Sequence, residues 1–143
     1  MVRVQQVSHA DAHVAIHDVR QRVFVQEQGI ALDLERDAAD AQALHAVAYN
    51  RLGQAVATGR LLPAQDGTAQ VGRLAVHRVL RGGGVGQQLL QALTQAARTR
   101  GDRQLALHAQ RSAEGFYRRL GWQPHGEPFM EAGVSHVEMV TTL

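Results

Sequence analysis

The chain has 143 residues, a length typical of one domain with its own hydrophobic core. It contains neither cysteine nor lysine, because all 15 basic residues are arginine, and this excludes disulfides, cysteine-ligated metals, thiol nucleophiles and lysine Schiff bases. The formal net charge is +2 and no basic run is present, so the sequence gives no reason to expect nucleic-acid binding. No long apolar stretch is present, so we expect no secretion signal and no membrane span, and we expect a cytoplasmic protein.

The first two predicted elements are a strand and a helix. Residues 2–7 alternate between apolar and polar side chains, which is typical of a strand. A helix is expected to follow and to extend to about Gln28, with Ser8 and Asp11 as candidate N-caps. Gly29 is suited to end this helix, because glycine adopts the backbone conformation that helix C-termini require.

Three strands are predicted in the middle of the chain. The acidic, alanine-rich segment 31–42 that precedes them is predicted either as a short helix or as an ordered loop. Residues 43–50 form a nearly continuous apolar run, which is typical of a strand buried on both faces. Strands at 55–62 and 69–77 follow after turn residues, so we expect the three strands to pair in antiparallel succession.

The C-terminal half begins with a glycine cluster at 82–86, which opens an amphipathic helix. One face of this helix carries the apolar residues Val85, Leu89, Leu90, Leu93 and Ala97. The pattern then predicts a strand at 104–108, a helix at 111–120, and strands at 122–125 and 135–142 that are separated by a loop.

The predicted element order is therefore βα(α)βββαβαββ. Antiparallel strands followed by a strand–helix–strand unit indicate an α+β fold, with a mixed, mostly antiparallel sheet and helices on both faces. Neither an internal repeat nor a low-complexity linker is present, so residues 1–143 are expected to form a single domain.

The glycine cluster is the sharpest chemical signal. Successive glycines let the backbone approach a ligand closely and direct several N–H groups to one point, and the following helix adds the positive end of its dipole. The cluster lacks the last glycine of the dinucleotide fingerprint, which Gln87 replaces, and the lysine of a Walker motif. It predicts a phosphate or pyrophosphate site, and the alternative is a loop that only turns the chain.

Three segments in chain order resemble the GNAT superfamily of acyl-CoA-dependent N-acetyltransferases. Arg81, Gly84 and Gly86 match the family's loop pattern Q/R-x-x-G-x-G/A. The preceding strand reads GRLAV at residues 72–76, and the segment AEGFYRRLGW at 113–122 is similar to the family's A-x-x-F-Y-x-x-L-G-F.

Further segments are similar to a branch of small bacterial, ElaA-like members. These are VFVQEQ at 23–28, the acidic residues of 35–40 with His45 after them, and GVSHVEM at 133–139. The resemblance implies the GNAT-like fold and covers essentially the whole chain. One departure is Gln110, which stands where many members have an asparagine that contacts the cofactor.

The resemblance implies direct transfer of an acetyl group from acetyl-CoA to a primary amine of a small molecule or peptide, without a metal. Backbone N–H groups of the glycine loop would hold the pyrophosphate, and the strand before it would pair with the pantetheine amides. The residues implied to contact the cofactor are Leu74, Ala75, Val76, Arg81, Gly82, Gly83, Gly84, Val85, Gly86, Gln87 and Gln110.

Tyr117 is implied as the general acid that protonates the departing CoA thiolate, a role that suits a phenol with a pKa near 10. The alternative is a core tyrosine packed beside Phe116 and Leu120. The acceptor amine must also arrive neutral or lose a proton to a base or to water, and the candidate bases are His136, Glu27, His45 and His108.

The acceptor-binding residues are open to two interpretations. Arg22 and Arg73 would favour an acceptor with a carboxylate or phosphate. The acidic residues Asp33, Glu35, Asp37 and Asp40 would attract a cationic amine, although we expect them to form a solvated surface. His45 and His108 are further candidates for acceptor binding, and the alternative for His45 is a core histidine.

His9, His13 and His17 recur every four residues, a spacing that invites a metal site. Because the helix is expected to begin near Asp11, His9 would fall off the helical face, and no metal site is predicted. The alternative function is a catalytically silent acyl-CoA-binding or sensor domain. A homodimer is compatible with the sequence but not required by it.

Overall fold

The structure is a computed structural model that describes residues 2–29, 37–76 and 83–143. The strands are β1 (Arg3–Ser8), β2 (Leu44–Tyr49), β3 (Ala55–Leu61), β4 (Thr68–Val76), β5 (Gln104–Gln110), β6 (Gln123–Glu131) and β7 (Val134–Thr142). The helices are α1 (His9–Arg20), α2 (Val85–Arg100) and α3 (Glu114–Arg119). A π-helical segment (Gln21–Glu27) continues α1, and two 3₁₀ segments lie at Ala38–Gln42 and Arg111–Ala113.

The seven strands form one sheet in the order β1-β2-β3-β4-β5-β7-β6. The first four strands pair in antiparallel succession, β4 and β5 are parallel, and β7 lies antiparallel between β5 and β6. This confirms the predicted mixed, mostly antiparallel sheet. In the parts of the chain that the structure describes, no helix is long and apolar enough to cross a membrane.

Helices cover both faces of the sheet, as predicted. Successive side chains of a strand point to opposite faces, and β2 shows the division clearly. Ala46 and Ala48 pack in the main core with the apolar face of α2, whereas Val47 packs with Ile16 of α1. The α2 residues predicted to face the core are all buried. Leu120 and Trp122, which follow α3, also pack in this main core.

The α1 helix begins earlier than the sequence indicates. Ser8 is its N-cap, and its hydroxyl accepts a hydrogen bond from the Asp11 N–H at 3.2 Å. The helix therefore starts at His9 rather than near Asp11, and the expectation that His9 falls outside it was wrong. The reason is that Asp11 occupies the third helical position, where an acidic side chain suits the helix dipole without being the cap.

The β6 strand is much longer than predicted. The sequence ended this strand at residue 125, because Gly126 and Pro128 favour a loop, but the structure continues it to Glu131. A register irregularity between His125 and Phe129 accommodates both residues. Proline and glycine are tolerated there because β6 is an edge strand with a bulge.

Candidate active site

A gap opens between the two parallel strands at the centre of the sheet. The β4 and β5 strands pair only at Thr68, Ala69 and Gln70 of β4. Beyond Gln70, the pairing partners of β5 are on β7 alone, up to Gln110, among the residues that the structure describes. The edge of β4 at 71–76 therefore faces the gap, and its backbone groups can pair with an extended ligand, as the edge of a sheet does with an added strand.

A β-bulge shapes β4 beside this gap. Thr58 pairs with Ala75 and Arg60 with Gly72, so two residues of β4 lie opposite the single residue Gly59. Within the bulge, Arg73 has a φ of +51°, a left-handed conformation that is uncommon for a residue with a side chain. Such a strained conformation persists only where the surrounding structure enforces it, and it occurs preferentially at functional sites.

The N-terminus of α2 lies against the end of β4. A Cβ atom on Gly86 would lie 3.7 Å from Cγ2 of Val76. The N-cap is Gly84, which has a φ of +85° and offers no side chain to the first turn of the helix. The N–H groups of Val85, Gly86 and Gln87 thus form a positive helix end beside the gap, suited to a phosphate or another anion. The predicted loop residues Arg81 and Gly82 lie outside the described residues, and Gly83 is exposed in the turn before the helix.

Tyr117 lies on α3, on the same side of the sheet as α2. It packs against the main core and contacts the rings of Phe116 and Trp122 at centroid distances of 5.1 and 6.1 Å. Burial raises the pKa of Tyr117 to about 12. The phenol is therefore protonated at neutral pH and can serve only as a proton donor. Its packing also matches the alternative interpretation of a core tyrosine.

Two histidines and a glutamate form a cluster on the face of the sheet opposite α2. Nδ1 of His108 donates to Oε1 of Glu131 at 3.0 Å, and Oε2 of Glu131 lies 3.7 Å from Nε2 of His136. Phe129 contacts both imidazole rings, stacked on His136 and edge-on to His108. The amide of Gln70 lies 3.2 Å from Nε2 of His108 and connects the cluster to β4, next to the gap.

The hydrogen bond of the His136 ring determines which of its two nitrogens can accept a proton. The side chain is buried in β7, opposite Gln110 at the end of β5. Nδ1 donates to the carbonyl oxygen of Val134 at 2.8 Å. In the neutral ring the lone pair is therefore on Nε2, on the side of Glu131, which is the nitrogen that can accept a proton.

Glu131 is the site residue that the sequence analysis missed, because it was placed in a loop. It ends β6, and Ala132 and Gly133 form the turn to β7 with φ values of +51° and +77°. Positive φ at both central residues is typical of the tight turn of a hairpin. The sequence contained one signal for this position, the short turn at Ala132–Gly133 before the strand that carries His136. A turn of two residues places Glu131 directly beside that strand.

Two of the acidic residues expected at the surface, Asp37 and Asp40, belong to an ion network with three arginines. Asp40 is 2% exposed and makes two hydrogen bonds to Arg20, at 2.8 and 3.0 Å, and one to Arg60 at 2.9 Å. Arg60 also binds Asp37 at 2.6 Å, and Asp37 lies 3.3 Å from Arg73 in the bulge. The expectation of a solvated surface was wrong for Asp40, because the buried arginines Arg20 and Arg60 require a buried partner, whereas the side chain of Asp37 is 38% exposed, as expected.

These contacts lower the pKa of both aspartates. Burial alone would raise the pKa of Asp40, but the hydrogen bonds and charges of Arg20 and Arg60 outweigh it and hold the pKa far below its usual range. The hydrogen bond from Arg60 likewise lowers the pKa of Asp37. Both aspartates are ionised at neutral pH. Asp33 and Glu35 lie outside the described residues.

The remaining candidates are distributed over other parts of the molecule. His45 is fully buried, its Nε2 donates to the carbonyl oxygen of Asp40 at 2.9 Å, and burial lowers its pKa, which together match a core histidine. Arg22 is exposed and pairs with Asp18 at 3.4 Å on the surface of the first helix. The side chain of Glu27 lies outside what the structure describes.

The arrangement combines four chemical features on the two faces of the sheet. A helix N-terminus can bind an anionic group, and an open strand edge can pair with amide groups. A protonated phenol lies on the side of α2, and an imidazole with an available nitrogen lies on the opposite side. This combination suits a ligand with phosphates and amides that reaches through the sheet to a second reactant.

Comparison with known proteins agrees with this geometry. Residues 8–143 match the family model of the acetyltransferase (GNAT) domain. The crystal structure of a Lactobacillus plantarum protein is 32% identical and superposes with a TM-score of 0.92, over 99% of this chain and 98% of that one. Escherichia coli ElaA is 29% identical, with a TM-score of 0.86 over 98% and 99% of the two chains. An acyl-CoA N-acyltransferase from Pseudomonas aeruginosa is 27% identical, with a TM-score of 0.85 over 98% and 99%.

Proposed function

The chain belongs to the GNAT acetyltransferase family and is an acyltransferase, and we propose that it transfers an acetyl group from acetyl-CoA directly to a primary amine. The observation that carries this proposal is the gap between β4 and β5, with the uncapped N-terminus of α2 at its edge. The donor and the acceptor would meet there from opposite faces of the sheet.

The cofactor is proposed to lie along β4. Its pyrophosphate would accept hydrogen bonds from the N–H groups of the first turn of α2, residues 85–87, where the helix dipole favours negative charge. The amides of the pantetheine arm would pair with the backbone of Leu74, Ala75 and Val76. One N–H group of this strand would donate to the thioester carbonyl and stabilise its oxyanion.

The reaction proceeds by attack of the neutral amine nitrogen on the thioester carbonyl carbon. The new C–N bond forms while the C–S bond breaks, and the CoA thiolate takes a proton from Tyr117. The proton lost by the amine goes to Nε2 of His136, either directly or through water. Solvent then restores the proton of Tyr117 and removes that of His136, so that the products are the amide and CoA thiol.

The acceptor is proposed to be a cation that carries a second positive charge besides the reacting amine. Although the chain contains 15 arginines, none lies in β5, β6 or β7, at residues 104–110, 123–131 and 134–142. The open face of these strands presents Glu131 and Glu138, which pair with histidines. Arg73 and Arg22, which would favour an anionic acceptor, are paired with Asp37 and Asp18.

An acceptor screen that follows CoA release tests the proposal. Diamines, aminosugars, zwitterionic amino acids and phosphorylated amines would be compared at saturating acetyl-CoA. We expect the highest kcat/KM for diamines. A preference for the amines that carry a carboxylate or phosphate would contradict the cationic acceptor, and binding of acetyl-CoA without release on any amine would favour a catalytically silent binding domain.

A further inference from the structure

Four of the eight histidines meet at the start of α1, away from the cluster around Glu131. The ring of His9 lies 5.1 Å from that of His17, 5.5 Å from that of His45 and 6.0 Å from that of His13, measured between centroids. The buried carboxylate of Asp40 lies beside them. Neither the acetyl transfer proposed above nor the packing of the core requires imidazoles at His9 and His17.

The donor atoms of this cluster are close enough to share a ligand. Nε2 of His9 lies 2.9 Å from Nε2 of His17, and one ligand atom from each of His9, His17 and Asp40 lies within 4.8 Å of the others. Two imidazole nitrogens bound to one tetrahedral ion at 2.0–2.1 Å are about 3.4 Å apart. The two rings would therefore have to separate by only about half an ångström to admit a metal ion.

A kink in α1 accounts for this contact, because residues eight positions apart on a regular helix lie about 12 Å apart along its axis. Because α1 starts at His9, residues 9 and 17 lie two turns apart on one helix. Ala12, between them, departs from helical geometry with a φ of −126° and a ψ of 16°, and this kink lies between the two rings. A helix that began near Asp11 would not bring these two rings together.

The carboxylate of Asp40 retains the capacity to bind an ion. Among the described residues, Oδ1 accepts hydrogen bonds from both Arg20 and Arg60, whereas Oδ2 accepts one, from Arg20. An ionised carboxylate oxygen has two lone pairs, so Oδ2 can accept a further partner. The two arginines would then support a ligand carboxylate by hydrogen bonding, as groups around metal sites commonly do.

The imidazoles are suited to a metal in their protonation and surroundings. Burial lowers the pKa of His9, which favours the neutral ring that a metal requires. The ring of His45 lies next to it, and Nδ1 of His45 is buried without a hydrogen-bond partner among the residues that the structure describes. A buried polar atom without a partner is rare and indicates a missing ligand, water or ion. His9 itself is partly exposed, so an ion has a route to the cluster from solvent.

We propose that His9, His17 and Asp40 form a binding site for a divalent transition metal ion such as Zn²⁺ or Co²⁺. Two imidazole nitrogens and one carboxylate oxygen form a donor set that these ions prefer over Mg²⁺ and Ca²⁺. The ion would share Asp40 with the network that leads through Arg60 and Asp37 to Arg73 in the β4 bulge.

Titration of the tag-free, chelator-treated protein with Co²⁺ and Zn²⁺ tests this site. We expect one equivalent to bind, with a visible absorption band for Co²⁺ and a heat of binding for Zn²⁺. The His9→Gln and His17→Gln variants should weaken binding by at least about tenfold. His125→Gln is the matched control, since His125 lies on β6 and contacts Glu138. It should leave binding unchanged.

Three results would overturn the proposal. They are the absence of saturable binding to the wild-type protein, unchanged affinity in the His9→Gln variant, and equal weakening by His125→Gln. If His17→Gln fails to fold by circular dichroism, His9→Gln alone decides, because His9 is partly exposed and its replacement removes less packing. The titration detects metal binding alone, so its result does not depend on whether the protein transfers acetyl groups.

Discussion

Tyr117 and Tyr49 are the two tyrosines of the chain, and they allow a matched comparison. Burial raises the pKa of Tyr117 to about 12, so the phenol carries its proton at neutral pH. We expect Tyr117→Phe to lower kcat by about a hundredfold, the size typical of a lost general acid, with little change in the affinity for acetyl-CoA. Steady-state kinetics and calorimetric binding of acetyl-CoA measure both quantities.

Tyr49→Phe serves as the control, because Tyr49 lies on β2 and packs beneath the first helix. This variant should keep the wild-type kcat. Equal turnover of the two variants at saturating substrates would mean that Tyr117 is a core residue only.

Glu131 is the second residue whose role can be tested by a nearly isosteric change. Glu131→Gln removes the negative charge that contacts His108 and faces His136. We expect kcat/KM for a diamine to fall by about tenfold, equivalent to about 1.4 kcal/mol. Glu127→Gln, an exposed change on the same strand, should leave it unaltered. An unchanged value for Glu131→Gln, or the same loss for Glu127→Gln, would remove Glu131 from the acceptor site.

The proposed roles of His136 and Tyr117 follow from sequence motifs, whereas the proposed role of Glu131 does not. Motifs identify residues by their neighbours along the chain. His136 lies in the segment GVSHVEM, and Tyr117 lies in the segment AEGFYRRLGW. Glu131 reaches the histidines only because β6 extends past Gly126 and Pro128 and turns tightly at 132–133. Whether an edge strand tolerates glycine and proline depends on its partner strand. The local propensity of the residues carries no information about that partner.

At the scale of elements, the bulge of β4 depends on a glycine in the neighbouring strand. A Cβ atom on Gly59 would lie 2.7 Å from Cδ2 of Leu74 and 3.0 Å from Cδ1 of Leu93. We expect Gly59→Ala to displace Leu74, to destabilise the protein by about 1–3 kcal/mol through overpacking, and to weaken acetyl-CoA binding. Urea denaturation and calorimetry measure these effects.

Gly72→Ala in β4 is the control for this change, because a Cβ atom there would be 3.9 Å from the nearest side-chain atom, Nε of Arg60. It should alter stability and cofactor affinity less than Gly59→Ala. If both variants bind acetyl-CoA as the wild type does, the position of Leu74 does not control the cofactor site.

Most elements of the sheet and the α2 helix were predicted from periodicity, since their apolar faces are distinct. The buried face of α2 from Val85 to Ala97 is the clearest case. The gap between β4 and β5 has no such signal. It arises where two strands stop pairing after Gln70 and where Arg73 adopts a left-handed conformation, and these are properties of tertiary packing. Only the family resemblance, and not the hydrophobic pattern, predicts a site at this strand.

At the scale of the whole molecule, the ion network connects the segment 37–42 to α1 through Arg20 and to β3 through Arg60. Removing one partner of a buried ion pair leaves a buried charge uncompensated. We therefore expect Asp40→Asn to lower the free energy of unfolding by about 3–5 kcal/mol at pH 7. Asp18→Asn removes only an exposed pair with Arg22 and should cost less than about 1 kcal/mol.

The difference in unfolding free energy between the wild type and Asp40→Asn depends on pH in a defined direction. Because the pKa of Asp40 is lowered in the folded state, its contribution is fully present above the ordinary value near 3.8 and is lost as the pH falls further. The difference between wild type and Asp40→Asn should be constant from about pH 7 to 5 and narrow below about pH 4. A difference that already narrows between pH 7 and 5 would mean that another group controls it.

The most direct test of acetyl transfer is to measure free thiol and acetylated product together, in one reaction with acetyl-CoA and a diamine. The protein contributes no cysteine to the thiol signal and no lysine as a competing acceptor. We expect CoA thiol and singly acetylated diamine, identified by mass spectrometry, to form in equal amounts at a rate that Tyr117→Phe lowers about a hundredfold. Saturable binding of acetyl-CoA without thiol release or acetylated product, across diamines and the other amines of the screen, would contradict the account.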